Sequence, residues 1–315
     1  MNGSMTRSTM QAVRFDRYGD REVLYIAELP IPIPGPDEAL VEVRATGINP
    51  GETNIRTGAL HDRFPATFPS GQGSDLAGVV VARGHDVTEF DVGDEVLGFS
   101  WRRSSHATHV VVPVRQLIRK PAQLPWDVAG CLYVACCTAY AAVRAVAART
   151  GETVAVSAAA GGVGSIVVQL LAGQGVQHIL GIASPRNDNW LKAHGVTPIQ
   201  YGPHLADRLC AAAPHGIDAF IDLFGPDYVQ LAADLGIARD RIETIIAFDK
   251  ARELGTRADG SANASTGEVL TDMADLVATG RIDLTVAATY PLHRVSDAFA
   301  ELERRHTRGK IALIP

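Results

Sequence analysis

The sequence predicts an α/β chain in which a doubly wound parallel sheet is inserted into a β-rich domain built by both chain ends. Three observations carry this. Residues 11–120 form β-branched runs bounded by Gly, Pro and Asp. From about residue 151 strand and helix patterns alternate. The last thirty or so residues then return to strands around one short helix.

In order, "AVRFDRYG", "VLYIAELPIP", "EALVEVRATGIN", "DLAGVVVARG" and "HATHVVVPV" read as strands. "PWDVAGCLYVACCTAYAAVRAVAART" has apolar residues at helical spacing and ends at Gly151, which predicts one helical stretch. The alternation follows. Strands are expected at "ETVAVSA", "HILGIAS", "PIQYG", "IDAFIDLFG" and "RIETIIAF". Between them, helices are expected at "GVGSIVVQLLAGQG", "RNDNWLKAHG", "ADRLCAAAPHG" and "PDYVQLAADLGI". This rhythm is that of a parallel sheet covered by helices. A helix at "STGEVLTDMADLVATG" and the strands "LTVAATYPL" and "GKIALIP" complete the chain. The expected domains are residues 1–124 with 281–315, β-rich, and residues 125–280, the nucleotide-binding part.

With 315 residues and 46% apolar composition the chain is long enough for about two domains. A formal charge of −6 and no long basic run argue against a nucleic-acid partner. No window of eighteen uninterrupted apolar residues is found, so no membrane span is expected. The start has Arg7 but no apolar leader, and Met1–Met5 is given no structural weight. Cys131, Cys136, Cys137 and Cys210 form no pairwise framework and are expected as free thiols in a cytoplasmic protein.

The chemistry begins at "SAAAGGVGSIVVQLLA". Against G-x-G-x-x-G it reads A-x-G-x-x-G, with Ala159 in the first place, then Gly161 and Gly164. It follows an expected strand and opens an expected helix inside a βαβ repeat, the context that marks a Rossmann dinucleotide turn. Gly161 lets the backbone approach a pyrophosphate, and Gly164 lets the helix pack on the strand. About twenty residues on, an acidic side chain would select NAD. The second strand instead ends in Ser184, followed by Arg186 and Asn187, and a guanidinium suits the 2′-phosphate of NADP. NADPH is the expected cofactor.

With the β-rich flank, the pattern resembles the medium-chain dehydrogenase/reductase superfamily, in its zinc-independent quinone oxidoreductase (zeta-crystallin-like) branch. The resemblance lies in "ATGINPGETNIRTG" (45–58), "FPSGQGSDLAGVVVARG" (68–84), "AAAGGVGSIVVQLLA" (158–172) and "RGKIALIP" (308–315). It implies a GroES-like catalytic domain carrying an inserted Rossmann NADP-binding domain. Zinc alcohol dehydrogenases of the superfamily need a Cys where this chain has Asn49, and a His-Glu pair where it has Ser74-Asp75. Neither Asn nor Ser is a usual zinc ligand, so no metal is expected. His106 and His109, three apart in a strand-like run, are expected on opposite faces, solvated or locally bonded.

The resemblance also implies cofactor contacts. Asn49 and Pro50 would meet the nicotinamide ribose and amide; Thr138 the nicotinamide ribose or a phosphate; Gly161, Gly162 and Val163 the pyrophosphate; and Ser184, Arg186, Asn187 and Tyr201 the adenosine phosphate. Phe224 and Phe248 follow the fourth and fifth strands, where such domains present loops to the cofactor. Lys310 resembles a position that closes over it. Asn54, where many relatives carry Tyr, and Tyr133 are the remaining candidates for the substrate pocket, beside Asn49. The turn holding Trp101, Arg102 and Arg103 is expected to be a solvated loop, with the mouth of a cleft as the other reading.

The expected activity is hydride transfer from NADPH to a quinone or related activated acceptor, as a homodimer pairing the edge strand "RIETIIAF". An enone reductase and a non-catalytic NADPH-binding sensor are the alternatives.

Overall fold

In the computed structural model, which describes residues 9–315, the chain begins with β1 (Thr9–Phe15), β2 (Tyr25–Pro30), β3 (Glu38–Ile48), α1 (Pro50–Arg56) and β4 (Ser70–Gly71). Met1–Met5 and Arg7 lie outside the described residues. Then come β5 (Asp75–Arg83), β6 (Glu95–Phe99), β7 (His109–Pro113), β8 (Leu117–Arg119), α2 (Trp126–Ala129) and α3 (Leu132–Val146). The alternating part runs β9 (Thr153–Val156), α4 (Gly164–Gly173), β10 (His178–Ala183), α5 (Asp188–Ala193), β11 (Val196–Gln200), α6 (Leu205–Ala212) and β12 (Ala219–Asp222). It ends with α7 (Pro226–Asp234), β13 (Ile242–Thr244) and α8 (Phe248–Leu254). The tail holds α9 (Gly267–Ala278), β14 (Val286–Pro291), α10 (Val295–Glu303) and β15 (Lys310–Ile314).

These elements group into two compact units. The first runs to Val134 and includes Thr266–Ala278 and Val286–Pro315; the second is Ala135–Ser265 with Thr279–Thr285. Residues 125–134 and α9 thus group with the β-rich unit.

The first unit holds a sheet in the order β14-β15-β3-β5-β6-β8, with β7 also on β3, and a small sheet β2-β1-β4. Alternation along the strands turns Val41, Val43, Leu76, Val80, Val96, Val110 and Val112 into one core. The two chain ends meet here. β15 lies antiparallel to β3, with Ile311 opposite Ile48 and Leu313 opposite Thr46, and both pack with Phe299 of α10. Burying side chains of this size contributes roughly 1.5–3 kcal/mol each. The same pairing sets Lys310, the first residue of β15, beside Asn49, the residue after β3.

The second unit holds five parallel strands in the order β11-β10-β9-β12-β13. Counted along the chain this is 3-2-1-4-5, a doubly wound sheet that changes direction between β9 and β12. The expected α/β architecture is present in both parts.

Three local expectations are corrected. The helix expected over residues 125–150 breaks into α2 and α3 at Gly130. There the Gly130 carbonyl accepts the Gly47 N–H at 2.6 Å, and a Cβ would stand 2.5 Å from the Ala45 carbonyl oxygen. The strand "RIETIIAF" shrinks to Ile242–Thr244, and Phe248 already opens α8. Its outer edge is not open for pairing. Thr244 N–H donates to the Arg257 carbonyl at 3.2 Å, and Arg257 N–H donates to the Ile242 carbonyl at 2.9 Å. The short helices α1 and α8 were hidden by their length, under two helical turns each.

Candidate functional site

In the second unit the glycine turn joins β9 to α4. Ala158 has a φ of +47°, and Gly161 N–H closes the turn onto the Ala158 carbonyl at 2.9 Å. A Cβ on Gly164 would lie 2.2 Å from that same carbonyl oxygen and 2.8 Å from the Ala159 Cα. Only glycine allows the helix to start so close to the strand. Ser165 N–H already bonds the Gly161 carbonyl at 2.9 Å, whereas among the described residues no backbone carbonyl accepts the N–H groups of Gly162 and Val163, just ahead of α4. With the helix dipole they favour an anion, so this cradle fits a pyrophosphate.

The other expected cofactor residues sit where strands of this sheet end. Ser184 follows β10 and precedes a 3₁₀ turn of Pro185–Asn187 that contains Arg186. Tyr201 follows β11 and is 47% exposed, and Phe224 follows β12 and is 45% exposed. Phe248 begins α8 after β13 and is partly buried. Thr138 is buried on α3. Such crevices beyond the carboxyl ends of the strands are where doubly wound sheets bind ligands.

One residue that the sequence reading missed ties these ends together. Asp222, at the end of β12, accepts hydrogen bonds from Ser157 Oγ at 2.8 Å, Thr244 Oγ1 at 2.7 Å and Phe224 N–H at 2.9 Å. Burial still raises its carboxyl above the ordinary value, against those donors. The signal was an acid ending the apolar run "AFID".

In the first unit a buried polar network surrounds the start of α1. The Lys310 ammonium donates to Asn49 Oδ1, to the Ile48 carbonyl at 3.3 Å and to Asp75 Oδ2 at 3.4 Å. Asn49 Nδ2 in turn donates to Asp75 Oδ2 at 3.0 Å and to Glu52 Oε1 at 3.4 Å. Asp75 Oδ1 accepts the Val134 N–H at 2.6 Å. Glu52 Oε2 accepts the Asn49 N–H at 2.9 Å, capping α1, and Oε1 accepts the Ser74 N–H at 3.1 Å. His106 Nε2 donates to the Gly47 carbonyl at 3.1 Å and lies 3.7 Å from Glu52 Oε2.

Burial disfavours each charge, and the neighbours decide the outcome. Burial and the nearby Asp75 push the Glu52 carboxyl up to about 7. Burial pulls His106 down to about 4. For Lys310 burial acts against the charge, but Asp75 and Glu52 outweigh it and hold the amine above its ordinary value. Burial pushes the Cys131 thiol up to about 12, so it is no ready thiolate ligand.

Two family models match the chain. The Alcohol dehydrogenase GroES-like domain covers residues 35–148, and the Zinc-binding dehydrogenase model covers residues 204–313. A mitochondrial NAD(P)H oxidoreductase of Homo sapiens is 29% identical across 98% of this chain and 90% of its own length. A quinone oxidoreductase of Homo sapiens is 30% identical over 234 residues, 72% of this chain and 70% of that protein. The chain belongs to the quinone oxidoreductase family. The structure of the Escherichia coli quinone oxidoreductase, solved in complex with NADPH, superposes with a TM-score of 0.86 at 26% identity, covering 97% of this chain and all of that one. The fold is therefore that of the medium-chain dehydrogenase/reductase superfamily, a GroES-like domain with a Rossmann-like domain.

Within this family frame, some expected residues stand differently from expectation. Lys310, expected to close over the cofactor, is 5% exposed, and its ammonium donates to Asn49, the Ile48 carbonyl and Asp75. Asn49 was expected to meet cofactor or substrate, yet both of its Nδ2 hydrogens are directed at carboxylates. His106 is not solvated but buried, whereas His109 bonds locally to Thr108 Oγ1 at 3.1 Å. Tyr133 is buried and stacks on Phe99 at 4.1 Å, and Asn54 is partly buried on α1 beside Pro50 and Glu52. In the turn after β6, Arg102 pairs with Glu38 at 2.8 Å, Arg103 donates to the Pro65 carbonyl at 2.9 Å, and Trp101 is exposed. No disulfide joins the four cysteines among the described residues, and three of them are buried. Among the described residues no helix is long and apolar enough to cross a membrane.

No group of three or more His, Cys, Asp or Glu among the described residues is arranged to hold a metal. Asn49 and Asp75 already share the Lys310 ammonium, and a divalent cation at that point would face a fixed positive charge.

Proposed function

We propose that the chain is an NADPH-dependent reductase of quinones that works without zinc. The observation that carries the reading is the Lys310 ammonium held between Asn49 and Asp75, at the positions where zinc alcohol dehydrogenases of the superfamily carry metal ligands. A metal polarises a poorly electrophilic carbonyl as a Lewis acid. A quinone needs little such help, so a reductase of quinones can dispense with the ion.

Bound NADPH supplies the hydride. The chain's own residues bind and orient. The α4 start, with Gly161, Gly162 and Val163, receives the pyrophosphate. Ser184, Arg186 and Asn187 receive the adenosine phosphate, and the absence of an acid at that strand end favours NADPH over NADH. Asp222 keeps the ends of β9, β12 and β13 in register through its bonds to Ser157 and Thr244. The relatives support a small-molecule acceptor, since those named are quinone oxidoreductases or an NAD(P)H oxidoreductase.

The test is loss of nicotinamide absorbance with NADPH or NADH, each offered with a small quinone and with an enone. Fast loss with NADPH and the quinone is expected. Loss with the enone alone would move the substrate class to activated alkenes, and binding without loss would reject the enzyme reading.

A further inference from the structure

The turn that carries Tyr201 is organised by a cation that the sequence reading did not single out. β11 ends at Gln200 and α6 begins at Leu205, so the chain reverses within residues 201–204. Two residues of that turn are left-handed, Gly202 with a φ of +105° and His204 with +61°. Arg208, on α6, holds them. Its Nε and Nη2 donate to the Gln200 carbonyl at 3.0 and 2.7 Å, Nη1 to the Pro203 carbonyl at 2.7 Å and Nη2 to the Gly202 carbonyl at 3.4 Å.

The carbonyls of the residues on both sides of Tyr201 therefore end on one guanidinium. This fixes the backbone from which the Tyr201 ring projects. Four of the donor–acceptor bonds a guanidinium can make are used, all to neutral carbonyls. No carboxylate among the described residues pairs with Arg208; the adjacent Asp207 faces His204 Nδ1 at 3.3 Å. The positive charge is thus uncompensated. It also lies at a defined place. Ala183 pairs with Gln200, so Ser184 and Tyr201 leave neighbouring parallel strands side by side.

We propose that Arg208 is a specificity-determining residue for the phosphate-bearing ribose of the cofactor, by positioning Tyr201 and by setting an uncompensated charge beside the Ser184–Asn187 turn. The inference rests on the NADPH reading of that corner. A brace without electrostatic role would affect both dinucleotides alike, whereas a charge that meets the 2′-phosphate distinguishes them.

The experiment measures dissociation constants of NADPH and NADH for the full chain, by nucleotide fluorescence, in wild type, Arg208→Gln and Arg208→Lys. Wild type is expected to prefer NADPH. Arg208→Gln is expected to raise the NADPH constant about tenfold, the scale of one charge-assisted contact, and the NADH constant under about threefold. Arg208→Lys, which keeps charge and loses the fork, is expected in between. A wild type without preference overturns the NADPH reading and the inference with it. A wild-type preference that survives intact in Arg208→Gln, or an equal rise for both nucleotides, overturns the inference alone.

Discussion

The two units treat buried charge in opposite ways. In the first, an ammonium, two carboxyls, an amide and an imidazole share one interior cluster, and Lys310 is stabilised as a cation by Asp75 and Glu52. In the second, the buried acids Asp222 and Glu243 are not ion-paired among the described residues, although the nearby Arg257 charge acts on Glu243. Asp222 is met by hydroxyls and N–H groups, while Glu243 receives the Asp259 N–H on Oε1 at 2.6 Å and has no partner on Oε2. Burial pushes the Glu243 carboxyl up to about 9, so it is neutral at physiological pH. In a low-dielectric interior a charge is either paired or given up. The catalytic unit keeps its charge; the nucleotide unit gives one up and presents its strand ends, with Tyr201 and Phe224, to solvent.

The strongest way to break this contrast is to remove the cation. Lys310→Met leaves Asp75 buried without its counter-charge, and breaking such a pair costs about 3–5 kcal/mol. Urea unfolding should show that loss, and adding Asp75→Asn should recover part of it. A loss under about 1 kcal/mol would mean that the pair is already solvated.

The nucleotide unit has its own signature in pH. The folded-state value of Glu243 lies above the ordinary 4.5, so the folded protein holds a proton that the unfolded chain has released. Its contribution is full below that ordinary value and is lost as pH rises toward about 9. Glu52 acts in the same direction but only up to about 7, and His106 acts oppositely between about 4 and 6.5. Thermal stability should therefore fall between about pH 7 and 9, and Glu243→Gln should flatten that decline. An unchanged decline in the variant would assign it to another group.

A smaller effect sharpens the geometry of the glycine turn. Gly164→Ala sets a methyl 2.2 Å from the Ala158 oxygen, and forced packing of this kind costs roughly 1–3 kcal/mol. Gly173, on the same helix, has open space for a Cβ, so Gly173→Ala should be neutral or stabilising. NADPH affinity should fall only in the first variant.

Much of the fold was legible because it is local. The alternation of residues 151–248 and the A-x-G-x-x-G turn both act over a few residues, so periodicity and a glycine pattern reveal them. The buried network that was missed depends on residues far apart in the chain. Lys310 meets Ile48 across 262 positions and Asp75 across 235, and no spacing rule encodes that pairing. His106 read as a surface histidine because alternation gives its face but not what covers it. The break at Gly130 was hidden because helical spacing continues through it, while a β3 carbonyl stands where a Cβ on that residue would be. Arg208 and Asp222 act through carbonyls, hydroxyls and N–H groups, which carry no sequence motif.

The measurement that tests the central claim most directly is quinone-dependent NADPH oxidation before and after exhaustive dialysis against a strong zinc chelator. The account predicts the same turnover in both samples, with the Lys310–Asp75 pair standing where a metal would be. Turnover that disappears with the chelator and returns with stoichiometric zinc would contradict it.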